Sequence, residues 1–228
     1  MKDNTMSKLG GTCSILLGVS YVVIGITYFL LPPELQEPLA DGKFMTAYAQ
    51  NPFVLNVQDW AFALGGLLAI AAVLAISDSV RSANEGWVRW TSTLALVGFA
   101  ALAISYFRFL ALAPDRAAAY VQGDAALKAA LTIPPAPLNG LGLDPQGWLE
   151  FGAVGSWILV VSLLALRGGT WPKPLAYVGV GLAIVYWLVV AAIVLKMQLL
   201  IAIAAGVGSV LLAPIWYIWL GLRLRKAS

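Results

Sequence analysis

Residues 104–122 read ISYFRFLALAPDRAAAYVQ. A single arginine, Arg108, interrupts an otherwise apolar run, and its depth decides how the whole segment is read. A charge halfway across a bilayer is costly and points to function. A charge at the edge only marks where the crossing ends. From Arg89 to Arg108 is 19 residues, roughly 28 Å at ~1.5 Å per residue. The hydrocarbon core is ~30 Å thick, so Arg108 falls at a boundary. The same count runs from Asp59 to Asp78, 19 residues or roughly 28 Å. From Glu150 to Arg167 it is 17 residues, roughly 25 Å. Asp59, Arg108 and Glu150 therefore share one level near the same face.

Outward from that segment the chain has the composition of a membrane protein. Of its 228 residues, 61% are hydrophobic and only 11% are charged, where soluble domains carry ~25% charged residues. Mean hydropathy is +0.85. Six apolar segments of membrane-crossing length lie at about 9–31, 60–77, 88–112, 148–166, 174–195 and 199–222. They are continuously apolar and do not alternate, which excludes a membrane barrel. The expected fold is an all-α bundle of six transmembrane helices in one domain, residues 1–228. The first apolar run is too long for the ~7–15-residue core of a cleaved signal and reads as a retained helix. Pro214 is expected to kink the last helix.

Lysine and arginine set the orientation. With the N-terminus inside, the inner flanks hold Lys2, Lys8, Arg81, Arg89, Arg167, Lys173, Arg223, Arg225 and Lys226, and the outer flanks only Lys43, Arg108, Arg116, Lys128 and Lys196. Both termini are expected in the cytoplasm of a bacterium, with the protein in the inner (or thylakoid) membrane. Two long connections, about 32–59 and 113–147, then lie outside. "DGKFMTAYAQNP" and an alanine-rich run starting at Pro114 give each a short helix.

Several signals recur in order. "ITYF" (26–29), "ISYF" (104–107) and "IVYW" (184–187) are followed by "AYAQ" (47–50) and "AYVQ" (119–122), then by "QDW" (58–60), "QGW" (146–148) and Gln198. Narrow membrane composition makes four-residue matches cheap by chance. The loop matches point instead to three copies of one helical hairpin, all in the same orientation.

Chemistry is sparse. The chain has no histidine and one cysteine, Cys13, which removes the commonest metal ligand and general base and any intrachain disulfide. No catalytic motif, nucleotide loop or metal-binding spacing is present, so no catalytic residue, metal or cofactor is expected. A net charge of +3 without a basic patch excludes nucleic acid. The candidate site is the outer-boundary cluster of Asp59, Arg108 and Glu150, with Tyr28 and Tyr106 near the same depth. Arg108 either snorkels to the headgroups or pairs with Glu150, Asp59 or both.

The stretches "GGTCSILLGVSYVVIGITYFLLPPE", "NEGWVRWTSTLALVGFAALAISYFR" and "PIWYIWLGLRLR" together resemble a bacterial family of six-helix membrane proteins known as a domain of unknown function, its cyanobacterial members in particular. The resemblance implies six helices and no established activity. The residues favour a non-enzymatic membrane protein that acts by binding. It would be an accessory or assembly component of a membrane complex, or a binder of lipid or pigment, with the bilayer and other membrane proteins as partners. A small transporter or channel is the second reading. A membrane enzyme using the outer carboxylate and arginine level is the third. Reporter fusions at Gly42 and at Asp124 are both expected to read extracytoplasmic; a cytoplasmic signal from either would overturn the orientation.

Overall fold

The computed structural model describes residues 4–36, 42–132, 143–144 and 146–226, without the side chain of Gln198. Lys2, Asp3 and parts of both long connections thus lie outside the described residues. Helices run over Asn4–Leu30 (α1), Pro33–Gln36 (α2), Gly42–Gln50 (α3), Phe53–Val80 (α4), Glu85–Gln122 (α5) and Ala125–Thr132 (α6). They continue as Val154–Gly168 (α7), Lys173–Val194 (α8), Gln198–Ala205 (α9) and Ala213–Lys226 (α10). A π-helical turn, Trp148–Ala153, opens α7, and a second, Gly206–Leu212, joins α9 to α10. There is no strand among the described residues. Six helical spans are long and apolar enough to cross a membrane: Thr5–Leu30, Phe53–Ala83, Glu85–Gln122, Trp148–Gly168, Lys173–Val194 and Leu199–Lys226. The protein is an integral, multi-pass membrane protein.

Two helices overrun the apolar segments that announce them. α4 starts seven residues ahead of Trp60, because Asn56, Gln58 and Asp59 lower hydropathy without breaking a helix. α5 runs unbroken through Pro114 for 38 residues, so the separate helix expected to start there is instead its last turns. A proline removes one backbone donor, and the alanine-rich run beyond it favours helix. At Pro214 the expected disturbance takes a different form. The π-helical stretch Gly206–Leu212 lies just ahead of it, and regular α-helix resumes at Ala213.

The spans pack as a ring in chain order. α1 lies on α4, α4 on α5, α5 on α7, α7 on α8 and α8 on α9, and α10 returns to α1. Small residues permit the close approaches that membrane helices rely on. At Gly66 on α4, an added Cβ would sit 2.8 Å from the Phe99 carbonyl oxygen of α5. The ring closes where Gly11 of α1 faces Gly221 of α10. A Cβ on Gly221 would lie 2.5 Å from the Gly11 carbonyl oxygen and 2.7 Å from Ile15 Cγ1. Ser14 reinforces that seam by donating to the Tyr217 carbonyl at 2.7 Å.

Large aromatic side chains fill the middle. Trp157, Trp216, Tyr186 and Tyr217 are all buried in one core cluster. Trp157 Nε1 donates to Ser77 Oγ at 2.9 Å, and Trp216 stands edge-on to Trp157 at 5.7 Å. A second, smaller cluster forms a cap at one end of the bundle. Leu31 and Leu35, Phe44, Met45 and Tyr48 of α3, and Leu55 of α4 close over Ala113 and Ala117 of α5. The overrunning turns of α4 and α5 thus carry the cap, while the start of α1 and the end of α10 lie at the opposite end.

Aromatic contacts also recur between consecutive spans. Trp60 meets Phe107 edge-on at 5.8 Å and Phe62 stacks on Tyr106 at 4.3 Å. Further round the ring, Trp148 meets Trp187 at 6.2 Å and Phe151 meets Tyr186 at 5.5 Å, both edge-on. Phe62 lies two positions after Trp60, but Phe151 lies three positions after Trp148. The π turn Trp148–Ala153 absorbs the additional residue, as such turns do.

Gly221→Val is expected to destabilise the protein by about 1–3 kcal/mol through overpacking, read as a lower melting temperature in detergent. Gly181, with nothing within 4 Å of an added Cβ, should accept alanine without loss.

Candidate functional site

The capped end is built where α1 and α5 end and where α4 and the turn leading into α7 begin. Before α7, the Leu143 amide donates to Ser105 Oγ of α5 at 3.0 Å. Asp144 then accepts three backbone N–H groups, from Trp148 at 3.0 Å, Leu149 at 2.5 Å and Glu150 at 2.9 Å. One carboxylate so satisfies donors that every helix start leaves open. Gly147, at φ +71°, turns the chain in the left-handed region that glycine tolerates best. A side chain there would also meet the Phe151 ring at 2.9 Å. The Leu149 carbonyl rests directly on Gly98 of α5, where no Cβ could fit. These contacts fix Glu150, which is half-buried.

On α4, Gln58 Oε1 lies 3.3 Å from the Thr27 hydroxyl of α1. The next residue, Asp59, turns inward and is only 3% exposed. Its Oδ2 is buried and accepts no hydrogen bond. Asp59 stands one turn below Leu55, at the floor of the cap. The roof over it includes Tyr48, whose hydroxyl donates to Asn56 Oδ1 at 2.8 Å. Burial pushes the Tyr48 phenol up to about 12; the bond to Asn56 opposes that shift, and the charge of Asp59 adds to it. Tyr48 and Phe109 meet edge-on at 5.9 Å. Tyr106 stacks on Phe62 of α4 at 4.3 Å. Tyr21 shares a 3.1 Å hydrogen bond with Tyr186.

Of the expected members, Asp59 is buried and Tyr106 and Glu150 are half-buried, and two others stand exposed. Tyr28 lies exposed on α1 against its neighbour Phe29. Arg108 is exposed and makes no ion pair with Asp59 or Glu150. The pairing expected from their common depth is not formed, and the reason is azimuth. Ile104, Arg108 and Leu112 recur every four residues, and all three face outward, while Ser105 and Ala113 of the same helix are buried. Arg108 takes the headgroup-directed role of a boundary arginine. At the opposite end Glu85 bridges Arg81 and Arg89.

Reading the sequence missed Tyr21, Tyr48 and Asp144. Asp144 carried a signal, an acid shortly before an apolar helix. Tyr21 and Tyr48 carried none beyond being aromatic in apolar surroundings. Among the described residues no cluster of three or more metal-ligating side chains occurs.

A family model described as a domain of unknown function, DUF4386, matches residues 16–224. The chain belongs to the DUF4386 family. No curated protein and no solved structure matches it. Membership agrees with the six-helix resemblance, and the match reaches from α1 to α10 of this DUF4386 protein.

Asp144→Ala is expected to cost about 1–2 kcal/mol of stability, the value of a strong N-cap. Arg108→Gln should stay within about 0.5 kcal/mol, as exposed positions do. Thermal unfolding of both variants in one detergent tests the contrast, and a larger loss at Arg108 would restore the ion-pair reading.

Proposed function

We propose that this DUF4386 protein is a non-enzymatic membrane receptor that holds a lipid-like amphiphile at its capped end. The observation that carries the reading is Asp59, a carboxyl group enclosed under a roof of apolar and aromatic side chains, whose buried Oδ2 has no hydrogen-bond partner among the described residues. Intramembrane ionisable residues persist where they are used, and a separate apolar cap over one of them gives a binding end its lid. In this reading the capped end faces away from the cytoplasm, in keeping with the positive flanks at the other end. The protein is then three parallel hairpins, in keeping with the recurring Trp and Tyr contacts. Close packing of Trp157, Trp216 and Tyr217 across the middle weighs against a polar path for transport.

A second reading, membership of a larger complex, is favoured by the flank of α8 and α9. Val194, Leu195, Leu199, Ile203, Val207 and Leu211 all stand exposed there.

Native mass spectrometry after extraction in mild detergent separates the two. One amphiphile retained per chain, and lost when Phe44→Ala opens the roof, is the expected result. A chain that emerges bare, or at fixed ratio with another polypeptide, would favour the complex.

A further inference from the structure

The end opposite the cap is basic, whatever the capped end holds. We propose that the start of α8 and the end of α10 form a docking site for an anionic phospholipid. Lys173 and Arg223 meet its phosphate, and its acyl chains lie against the lipid-facing sides of the two helices.

Positive flanks orient a membrane protein wherever they fall, so their number alone does not mark a site. Their pairing does. On the α4–α5 connection Glu85 bridges Arg81 and Arg89, and those cations are answered within the protein. From Phe151 to Ser228 the chain has no acid, yet it carries Arg167, Lys173, Lys196, Arg223, Arg225 and Lys226. Three of these meet at one turn. Arg167 lies in the last turn of α7, and Lys173 is the first residue of α8. Arg223 of α10 reaches the connection between them and donates to the Thr170 carbonyl at 2.7 Å. None of the three forms an ion pair among the described residues, and Asp78 of α4, the other described acid at this end, pairs with none of them. Arg167 and Arg223 stand at the ends of their helices, where the dipole favours a cation. Lys173 stands at a helix start, where it does not. A negative group from outside the chain would answer all three.

Depth identifies that group as a lipid head. Tyr177 is exposed one turn inward from Lys173, and Trp219 is exposed one turn inward from Arg223. Exposed Tyr and Trp rings at the ends of membrane spans sit at the headgroup level. The two cations just beyond them therefore stand among lipid phosphates. α8 and α10 pack on each other, so one head can reach both. Basic pockets between membrane helices take anionic heads in this way.

Each cation also heads an apolar stripe. On α8, Tyr177 is followed by Gly181 and Ile184, at spacings of four and three residues that keep them on one side. Ile184 is exposed, and nothing lies within 4 Å of a Cβ added to Gly181, so the stripe has a notch between two bulky side chains. On α10, Ile215 is exposed one turn inward from Trp219.

The full-length protein in neutral detergent is titrated with dioleoyl-phosphatidylglycerol or dioleoyl-phosphatidylcholine, which share their chains. Native mass spectrometry gives the dissociation constant of the first lipid bound. A basic side chain near an anionic lipid contributes about fivefold in affinity. Phosphatidylglycerol is therefore expected to bind at least about tenfold tighter than phosphatidylcholine. Lys173→Gln and Arg223→Gln should each weaken phosphatidylglycerol by about fivefold and phosphatidylcholine by less. Both positions are exposed, so neither change disturbs the core. Lys128→Gln combined with Lys196→Gln, which removes two cations elsewhere, should change neither lipid. Equal affinity for the two lipids, or phosphatidylglycerol binding untouched by both Lys173→Gln and Arg223→Gln, would overturn the proposal. Glycerol phosphate has a phosphate but no chains; if it bound as tightly as phosphatidylglycerol, the cations would belong to a soluble anion and the lipid site would be overturned.

Discussion

Backbone touches backbone where Gly11 meets Gly221, and the ring of six spans depends on that contact. In lipid every crossing segment satisfies its amides within its own helix, so helices have little left to bind each other except close packing. Small residues convert proximity into dispersion contact over a long seam. Here α1 and α10, the first and last helices, approach to the limit that carbonyl oxygens permit. Ser7 and Ser14 of α1 then donate to carbonyls of α10 along the same seam. With the seam closed, Trp216 and Tyr217 of α10 are carried into the centre. There they meet Trp157 and Tyr21 from opposite sides of the ring. A side chain at Gly221 would act on the middle of the bundle as well as on its edge.

The ring also accounts for why the same aromatic contacts recur. α4 lies against α5 and α7 against α8, so Trp60 meets Phe107, the residue after Tyr106, and Trp148 meets Trp187, the residue after Tyr186. The contact survives an inserted residue at Trp148–Ala153 because a π turn takes up one residue locally without rotating the rest of the helix. The third position of this series, between the last span and α1, lacks the aromatic partner, and Tyr28 is left against Phe29. α9 packs mainly on α8 and the π-helical stretch after it, and Leu199 and Ile203 stand exposed.

Much of this was legible beforehand, and the missing parts share a physical cause. The number of spans and their order follow from apolar length, which the bilayer dictates. Depth follows from counting at a fixed rise, so Asp59, Arg108 and Glu150 were placed at one level. Azimuth does not follow. In a soluble helix the buried face is the apolar one, but in a membrane helix the lipid-facing side is equally apolar. Nothing in "ISYFRFL" told which way Arg108 pointed. Helix ends were hidden for the opposite reason. Asn56, Gln58 and Asp59 end a hydropathy run but not a helix, so the turns that carry the cap read as loop.

Two aspartates at the capped end show how differently one side chain can be used. Asp144 is surrounded by backbone amides that need an acceptor, and its carboxylate is held by three of them within 3.0 Å. Its charge also lies where the positive end of a helix dipole favours it. Asp59 enters α4 at its second turn, past the open amides of the helix start, so the backbone offers it no donor. Of the phenols at this end, that of Tyr48 is already committed to Asn56. Replacing Asp59 by an apolar residue would fit the surrounding cluster better than aspartate does. An acid with an unpartnered buried oxygen beneath an apolar and aromatic roof is the feature on which the proposed binding end rests.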